Sequence, residues 1–209
     1  MFASDSDGTE RMSGVSYNPG VESLETPRLH LRPFADEDVA TVHRIYSDPQ
    51  VMRYVATGPL PDLATTTRLL RDYMSHQQAW GFSFWAVVER ASGAIIGDAG
   101  LYRTPMGEVE LGYTLGLAWW GHGYATEAAG AWLDAAFSRL DLSEVVALAE
   151  PANVASLRVL EKLGMTRDGE RLAFGRPHAV YRVKRPVSAG HTSGLLGGLG
   201  RRRDRARRR

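Results

Sequence analysis

The chain has 209 residues, a net charge of +1, 44% hydrophobic residues and no cysteine. This is an ordinary soluble composition, long enough for one domain with a full hydrophobic core. It excludes disulfides, thiolate metal sites and a cysteine nucleophile, and no stretch approaches the roughly 20 apolar residues of a membrane span.

Residues 1–23 are rich in Ser, Gly, Asp and Thr and read as a disordered leader; Met12 is an alternative start. No apolar run marks a signal peptide. The folded domain is expected over 24–186. Leu29 and Leu31 alternate with His30 and Arg32, predicting a strand. Val39, Val42, Ile45 and Tyr46 follow helical spacing, closed by Pro49. Leu63, Thr67, Leu70 and Met74 predict a second helix, with Asp62 as its cap. Residues 82–90 and 94–103 are β-rich and joined at Ala91-Ser92-Gly93, a hairpin signal; 109–115 predict a further strand. An apolar stripe from Ala125 through Trp132 to Leu140 predicts the strongest helix. A strand over 145–149, a helix over 154–163 stopped by Gly164, and a last strand over 178–183 complete the domain. The interleaved order predicts an α/β fold, a mixed sheet covered on both faces. Residues 187–209 read as a flexible Gly-rich linker and an Arg-rich tail. The last nine residues hold seven Arg and one Asp, leaving −5 on the other 200 (+1 overall less +6).

The chemistry centres on Trp120-Gly121-His122-Gly123-Tyr124-Ala125-Thr126-Glu127. Two glycines between a strand and a helix let backbone approach a ligand closely, and the free N–H groups of a helix start suit a phosphate. No Lys-Ser or Lys-Thr follows, so this is not a Walker loop, and the third glycine of a dinucleotide fingerprint is missing. A tight structural turn explains the loop alone equally well.

Glu110-Leu111-Gly112-Tyr113, Trp120 to Ala128, and Asn153-Val154-Ala155-Ser156 with Leu160-Glu161-Lys162-Leu163-Gly164 together resemble the GNAT superfamily of N-acetyltransferases. They most resemble its branch of ribosomal-protein N-terminal acetyltransferases, as do Thr26-Pro27-Arg28-Leu29 to Phe34 and Asp48 to Met52. Trp120 stands where the wider superfamily favours Gln or Arg. The resemblance implies a single-domain, mostly antiparallel splayed sheet with helices on both faces, and acetyl-CoA as co-substrate without a metal. It further implies that N–H groups of Gly121, His122, Gly123, Tyr124, Ala125 and Thr126 hold the coenzyme A pyrophosphate. Backbone of Tyr113, Thr114 and Leu115 would pair with the pantetheine arm, and Asn153 joins the coenzyme-binding set.

Acetyl transfer to an amine needs a base, because a typical amine is protonated near neutral pH. It also needs oxyanion donors and a hydrogen bond or proton for the departing thiolate. Glu110 is the candidate base, through water, with Glu108 as its substitute. A base is most needed at low pH, so Glu110→Gln is expected to cost most there. Ser156, at the third position of a helix capped by Asn153, is the candidate partner of the sulfur; pure capping explains the same spacing. Tyr46, Tyr54, Trp80 and Trp85 fall near the branch's acceptor groove but read first as core or rim aromatics.

The expected activity is an acetyl-CoA-dependent N-acetyltransferase that acts on a protein N-terminus or a small-molecule amine, by direct transfer in a ternary complex. Two rivals remain: a non-catalytic acyl-CoA sensor, and an RNA- or ribosome-associated protein acting through Arg201–Arg209. A cytoplasmic monomer or homodimer, with no membrane partner, is expected.

Overall fold

In the computed structural model, which describes residues 21–186, eight strands and four α-helices follow one another, with short 3₁₀ helices at Asp36–Asp38, Val51–Tyr54 and Leu117–Trp119 between them. The strands and α-helices are β1 (Leu24–Glu25), β2 (Leu29–Arg32), α1 (Val39–Tyr46), α2 (Leu63–Trp80), β3 (Phe84–Glu89), β4 (Ile95–Arg103), β5 (Val109–Leu115), α3 (Tyr124–Ser138), β6 (Glu144–Ala149), α4 (Val154–Lys162), β7 (Thr166–Ala173) and β8 (Arg176–Lys184). Most of the leader, and the whole Gly-rich linker and Arg tail, lie outside the described residues.

The strands form one eight-stranded sheet in the order β1-β2-β3-β4-β5-β6-β8-β7. Every neighbouring pair is antiparallel except β5 and β6. The fold is therefore a mixed α/β single domain with an open, mostly antiparallel sheet.

Alternation along the strands feeds two cores. In β3, Trp85 and Val87 enter the larger cluster with Leu29, Leu31 and α3, while Ala86 enters the smaller one with Val42, Tyr46 and Leu70 of α1 and α2. Trp132 of α3 meets Trp85 edge-on, ring centroids 4.6 Å apart, and both are fully buried. Such a tilted aromatic pair adds about 1 kcal/mol beyond its buried area.

Local signals read from sequence do their expected work. The Asp62 carboxylate accepts the Thr65 N–H at the start of α2. Gly93 takes φ +70° in the β3–β4 hairpin. Gly164 takes φ +74° after α4, donating its N–H to the Glu161 carbonyl, while the Met165 N–H reaches the Leu160 carbonyl. That is the double bond of a Schellman end.

Three features differ from expectation. Val21, read as leader, is buried in the larger core, and its N–H donates to the Gly81 carbonyl, so ordered packing starts before residue 24. β1 is too short for alternation to mark it. β7 escapes prediction because Thr166-Arg167-Asp168-Gly169-Glu170-Arg171 has no apolar alternation: it is a charged edge strand, bulged between Arg167 and Glu170. Charge and a bulge are how an edge avoids pairing with other chains.

Candidate active site

β5 and β6 are bridged only at Glu110 and Val146. Beyond that bridge β5 runs on through Tyr113 and Leu115 while the strands part, leaving an opening in the middle of the sheet. Backbone polarity lines it. The Gly116 N–H donates to the Ile96 carbonyl of β4, so alternation turns the polar groups of Leu115 and Tyr113 the other way, towards the opening. The Leu115 carbonyl confirms this direction by accepting the Trp120 indole N–H at 2.7 Å. Thr114 is a correction to the expected set. Its carbonyl points at β4, where a Cβ on Gly97 would approach it to 2.0 Å, and its hydroxyl lies beside the buried Asp98. It offers no backbone to the opening.

The loop after β5 leads to the start of α3. Gly121 and Gly123 take φ +79° and +81°, conformations side-chain-bearing residues rarely adopt, and Gly123 forms the N-cap of α3. The first N–H bonded within the helix is that of Glu127, to the Gly123 carbonyl. The preceding N–H groups of Tyr124, Ala125 and Thr126 have no intrahelical partner. Exposed N–H groups, a positive helix end and two glycines make a cradle that fits a diphosphate. Gly121, His122, Gly123, Tyr124, Ala125 and Thr126 are thus brought together as expected. The His122 ring leans on Tyr124, centroids 6.1 Å apart.

Two sets of titratable groups border the opening. Glu110 is half-buried on β5 and pairs across the strands with Tyr102. Burial pushes its carboxyl up to about 7; Arg171 pulls it down and Glu108 pushes it further up. Glu108 is a different group altogether. Arg171 grips it with a two-pronged pair at 2.6 and 2.9 Å, and Arg182 stands 3.6 Å away. The bonds to Arg171 outweigh desolvation and hold Glu108 below the ordinary carboxylate range. A carboxylate held so far towards its ionised form is a weak proton acceptor, which makes Glu110 the better base of the two.

On the opposite face, Tyr113 Oη lies 2.8 Å from Ser156 Oγ, where either hydroxyl can be the donor, and 3.2 Å from the Ser156 carbonyl, which can accept its hydrogen instead. Burial raises the Tyr113 hydroxyl to about 12, with the Ser156 bond pulling it partly back, so it stays protonated at any working pH. Asn153 caps α4 by accepting the Ser156 N–H at 3.2 Å, which sets Ser156 in the first turn. The Asn153 carbonyl oxygen is thereby committed to the helix.

Glu110 and Tyr113 stand three residues apart, about 10 Å along the strand, and leave from opposite faces. A reactant beside this strand could give a proton to Glu110 and take a hydrogen bond from the Tyr113–Ser156 pair. Among the described residues no three His, Asp or Glu side chains converge as a metal-binding group, and no helix is long and apolar enough to cross a membrane.

Sequence reasoning missed the Tyr113 hydroxyl, which it valued only for backbone, and the roles of Thr26, Arg28 and Arg171. The Tyr113–Ser156 contact joins residues 43 positions apart, and Arg171 lies on the unpredicted β7. Of the four flagged aromatics, Trp85 and Tyr46 are buried in the two cores, and Trp80 is a half-exposed rim residue under the Arg103 guanidinium.

Residues 28–166 match the family model described as the acetyltransferase (GNAT) domain. Protein YkkB of Bacillus subtilis (strain 168) is 33% identical over 165 residues, covering 77% of this chain and 95% of that protein. The N-acetyltransferase p20 of Bacillus licheniformis is 33% identical over 171 residues, covering 77% and 94%. The solved structure of an acetyltransferase from Agrobacterium tumefaciens superposes with a TM-score of 0.70 at 31% identity, covering 79% and 96%. With the open sheet, the parted β5 and β6 and the two-glycine loop at the start of α3, these matches establish that the chain belongs to the GNAT family of acetyltransferases.

Proposed function

We propose that this protein moves an acetyl group from acetyl-CoA to a primary amine, of a protein N-terminus or a small molecule, by direct transfer with both substrates bound. The observation that carries the reading is an acid–base pair on one strand. Glu110, with its carboxyl raised to about 7, leaves one face of β5, and the Tyr113–Ser156 hydroxyl pair lies on the other, three residues nearer the glycine loop. Acetyl-CoA supplies an activated thioester. The N–H groups from Gly121 to Thr126 would hold its pyrophosphate, and the backbone of Tyr113 and Leu115 its pantetheine arm.

Glu110 removes the ammonium proton of the acceptor, through a water molecule. A base whose pKa lies near neutrality combines the ionised form with useful proton affinity. A Tyr113 or Leu115 N–H directed at the opening supplies the oxyanion donor. Ser156, in contact with the Tyr113 hydroxyl and set at the positive end of α4, gives a hydrogen bond to the departing sulfur when Tyr113 is the donor of their pair. A hydroxyl is too weak an acid for more. With no cysteine in the chain, a thiol-linked acyl-enzyme is ruled out and direct transfer is the simplest route. The order of motifs supports the ribosomal-protein N-terminal branch, and a cytoplasmic site fits the cysteine-free sequence.

The test is thiol release from acetyl-CoA over a panel of peptide N-termini, polyamines, aminoglycosides and amino acids. Amine-dependent release with at least one class is expected. Binding of acetyl-CoA with no release for any class would favour the sensor reading instead.

A further inference from the structure

A segment about a hundred residues before the loop is locked onto it. The Thr26 hydroxyl donates to Glu127 Oε1 at 2.6 Å, and the Arg28 backbone N–H donates to the same oxygen at 3.0 Å. The Arg28 side chain then makes four further contacts, one of them the ion pair of its Nη2 with Glu127 Oε2 at 2.5 Å. Its Nε donates to Glu127 Oε2 at 2.6 Å, its Nη1 donates to the His122 carbonyl at 2.9 Å, and its guanidinium covers the Tyr124 ring 4.4 Å from the centroid. One guanidinium therefore touches three positions of the cradle: His122, Tyr124 and Glu127.

Glu127 poses the physical problem that Arg28 answers. A carboxylate in the first turn of α3 is good for the helix dipole, but it stands where an incoming diphosphate would be repelled. Burial alone would push this carboxyl up; the bonds from Thr26 and Arg28 overcome that and hold it below the ordinary range, so it is ionised at working pH. Its charge must be cancelled rather than protonated. The contact to His122 does a second job. In a planar trans peptide the C=O and the following N–H point in opposite directions. Holding the His122 carbonyl towards Arg28 therefore turns the Gly123 N–H away from Arg28, to the side left for a ligand.

We propose that Arg28 is a positioning residue of the phosphate cradle, which cancels the Glu127 charge and fixes the His122–Gly123 peptide so that the loop presents N–H groups to the diphosphate of coenzyme A. This rests on the reading that coenzyme A is the ligand. Glu127 takes the charge-assisted fork on one side, and the ligand approaches from the other.

The experiment is calorimetric titration of coenzyme A and dephospho-coenzyme A into wild type, Arg28→Gln, Arg28→Lys and Arg28→Gln/Glu127→Gln. Losing charge-assisted bonds to the loop is expected to weaken binding about tenfold to a hundredfold in Arg28→Gln, equally for both ligands. Removing the orphaned carboxylate in the double variant should recover part of that loss. Lys keeps the charge without the fork, so Arg28→Lys should fall between and covers the case in which Arg28→Gln fails to fold. In turnover the KM for acetyl-CoA should carry the change and kcat little of it. Wild-type affinity in either Arg28 variant would overturn the proposal. So would a loss that disappears with dephospho-coenzyme A, since Arg28 would then read the 3′-phosphate directly, and so would a double variant no better than Arg28→Gln. A wild-type protein that binds neither ligand would instead bring down the coenzyme A reading, and this proposal with it.

Discussion

Glu110→Gln separates chemistry from stability, because the two should move in opposite directions. The rise of the Glu110 carboxyl from 4.5 to about 7 by burial corresponds to about 3 kcal/mol between its two protonation states, at ~1.4 kcal/mol per pH unit. That is an upper figure for a half-buried group. Its sign follows from linkage: the folded protein holds this proton more tightly than the unfolded chain. The folded state therefore carries no penalty below the ordinary value of 4.5, loses stability as pH rises towards 7, and bears the full cost above it. Gln resembles the protonated acid, so the variant should match wild type near pH 4 and be more stable by up to about 3 kcal/mol above pH 8. Activity should fall by about 10² to 10⁴, the usual worth of a general base. This corrects the expectation that the loss is greatest at low pH, since Glu110 is itself protonated there. The gap should open through pH 7, and the ionisation near 7 should vanish from the kcat/KM profile of the variant. Thermal melts and initial rates across the pH range read both effects. A stability difference independent of pH, or an unchanged profile, would refute the reasoning.

Tyr113→Phe and Ser156→Ala should each lower kcat, and the double variant should lose little more than either, because one hydrogen-bonded pair acts as a unit; additive losses in a double-mutant cycle would separate them. Gly112→Ala puts a methyl 2.8 Å from the Phe84 ring, and chemical denaturation should show a loss of about 1 to 3 kcal/mol. Gly123→Leu forces a side-chain-bearing residue to φ +81° and puts its side chain where the diphosphate would lie, so the thermal shift produced by coenzyme A should vanish. Initial-rate plots with both substrates varied should intersect, and parallel lines would point to a covalent acyl-enzyme.

Much of the site was legible because it is local. Two glycines beside a helix start, an N-cap three residues before a serine, and strand alternation at Glu110 are all readable within a few positions. The rest depends on contacts between distant segments. Nothing near Arg28 names Glu127, and nothing near Tyr113 says that its hydroxyl rather than its backbone meets Ser156. The burial that raises Glu110 comes from neighbouring elements, as does the Arg171 fork that lowers Glu108. Arg171 lies on β7, a strand whose charged edge sequence hides its periodicity. Thr114 shows the converse limit: it lies on the expected strand, but only the register with β4 decides which way its carbonyl points.

The central claim is that an acetyl group passes from acetyl-CoA to nitrogen in one step on this protein. Mass spectrometry after incubation with isotope-labelled acetyl-CoA and an accepted amine tests it most directly. The account predicts label in an amide of the acceptor, with none on the protein when the amine is withheld. Label on the protein that later chases to the amine would contradict direct transfer, and no labelled amide from any amine class would contradict the claim itself.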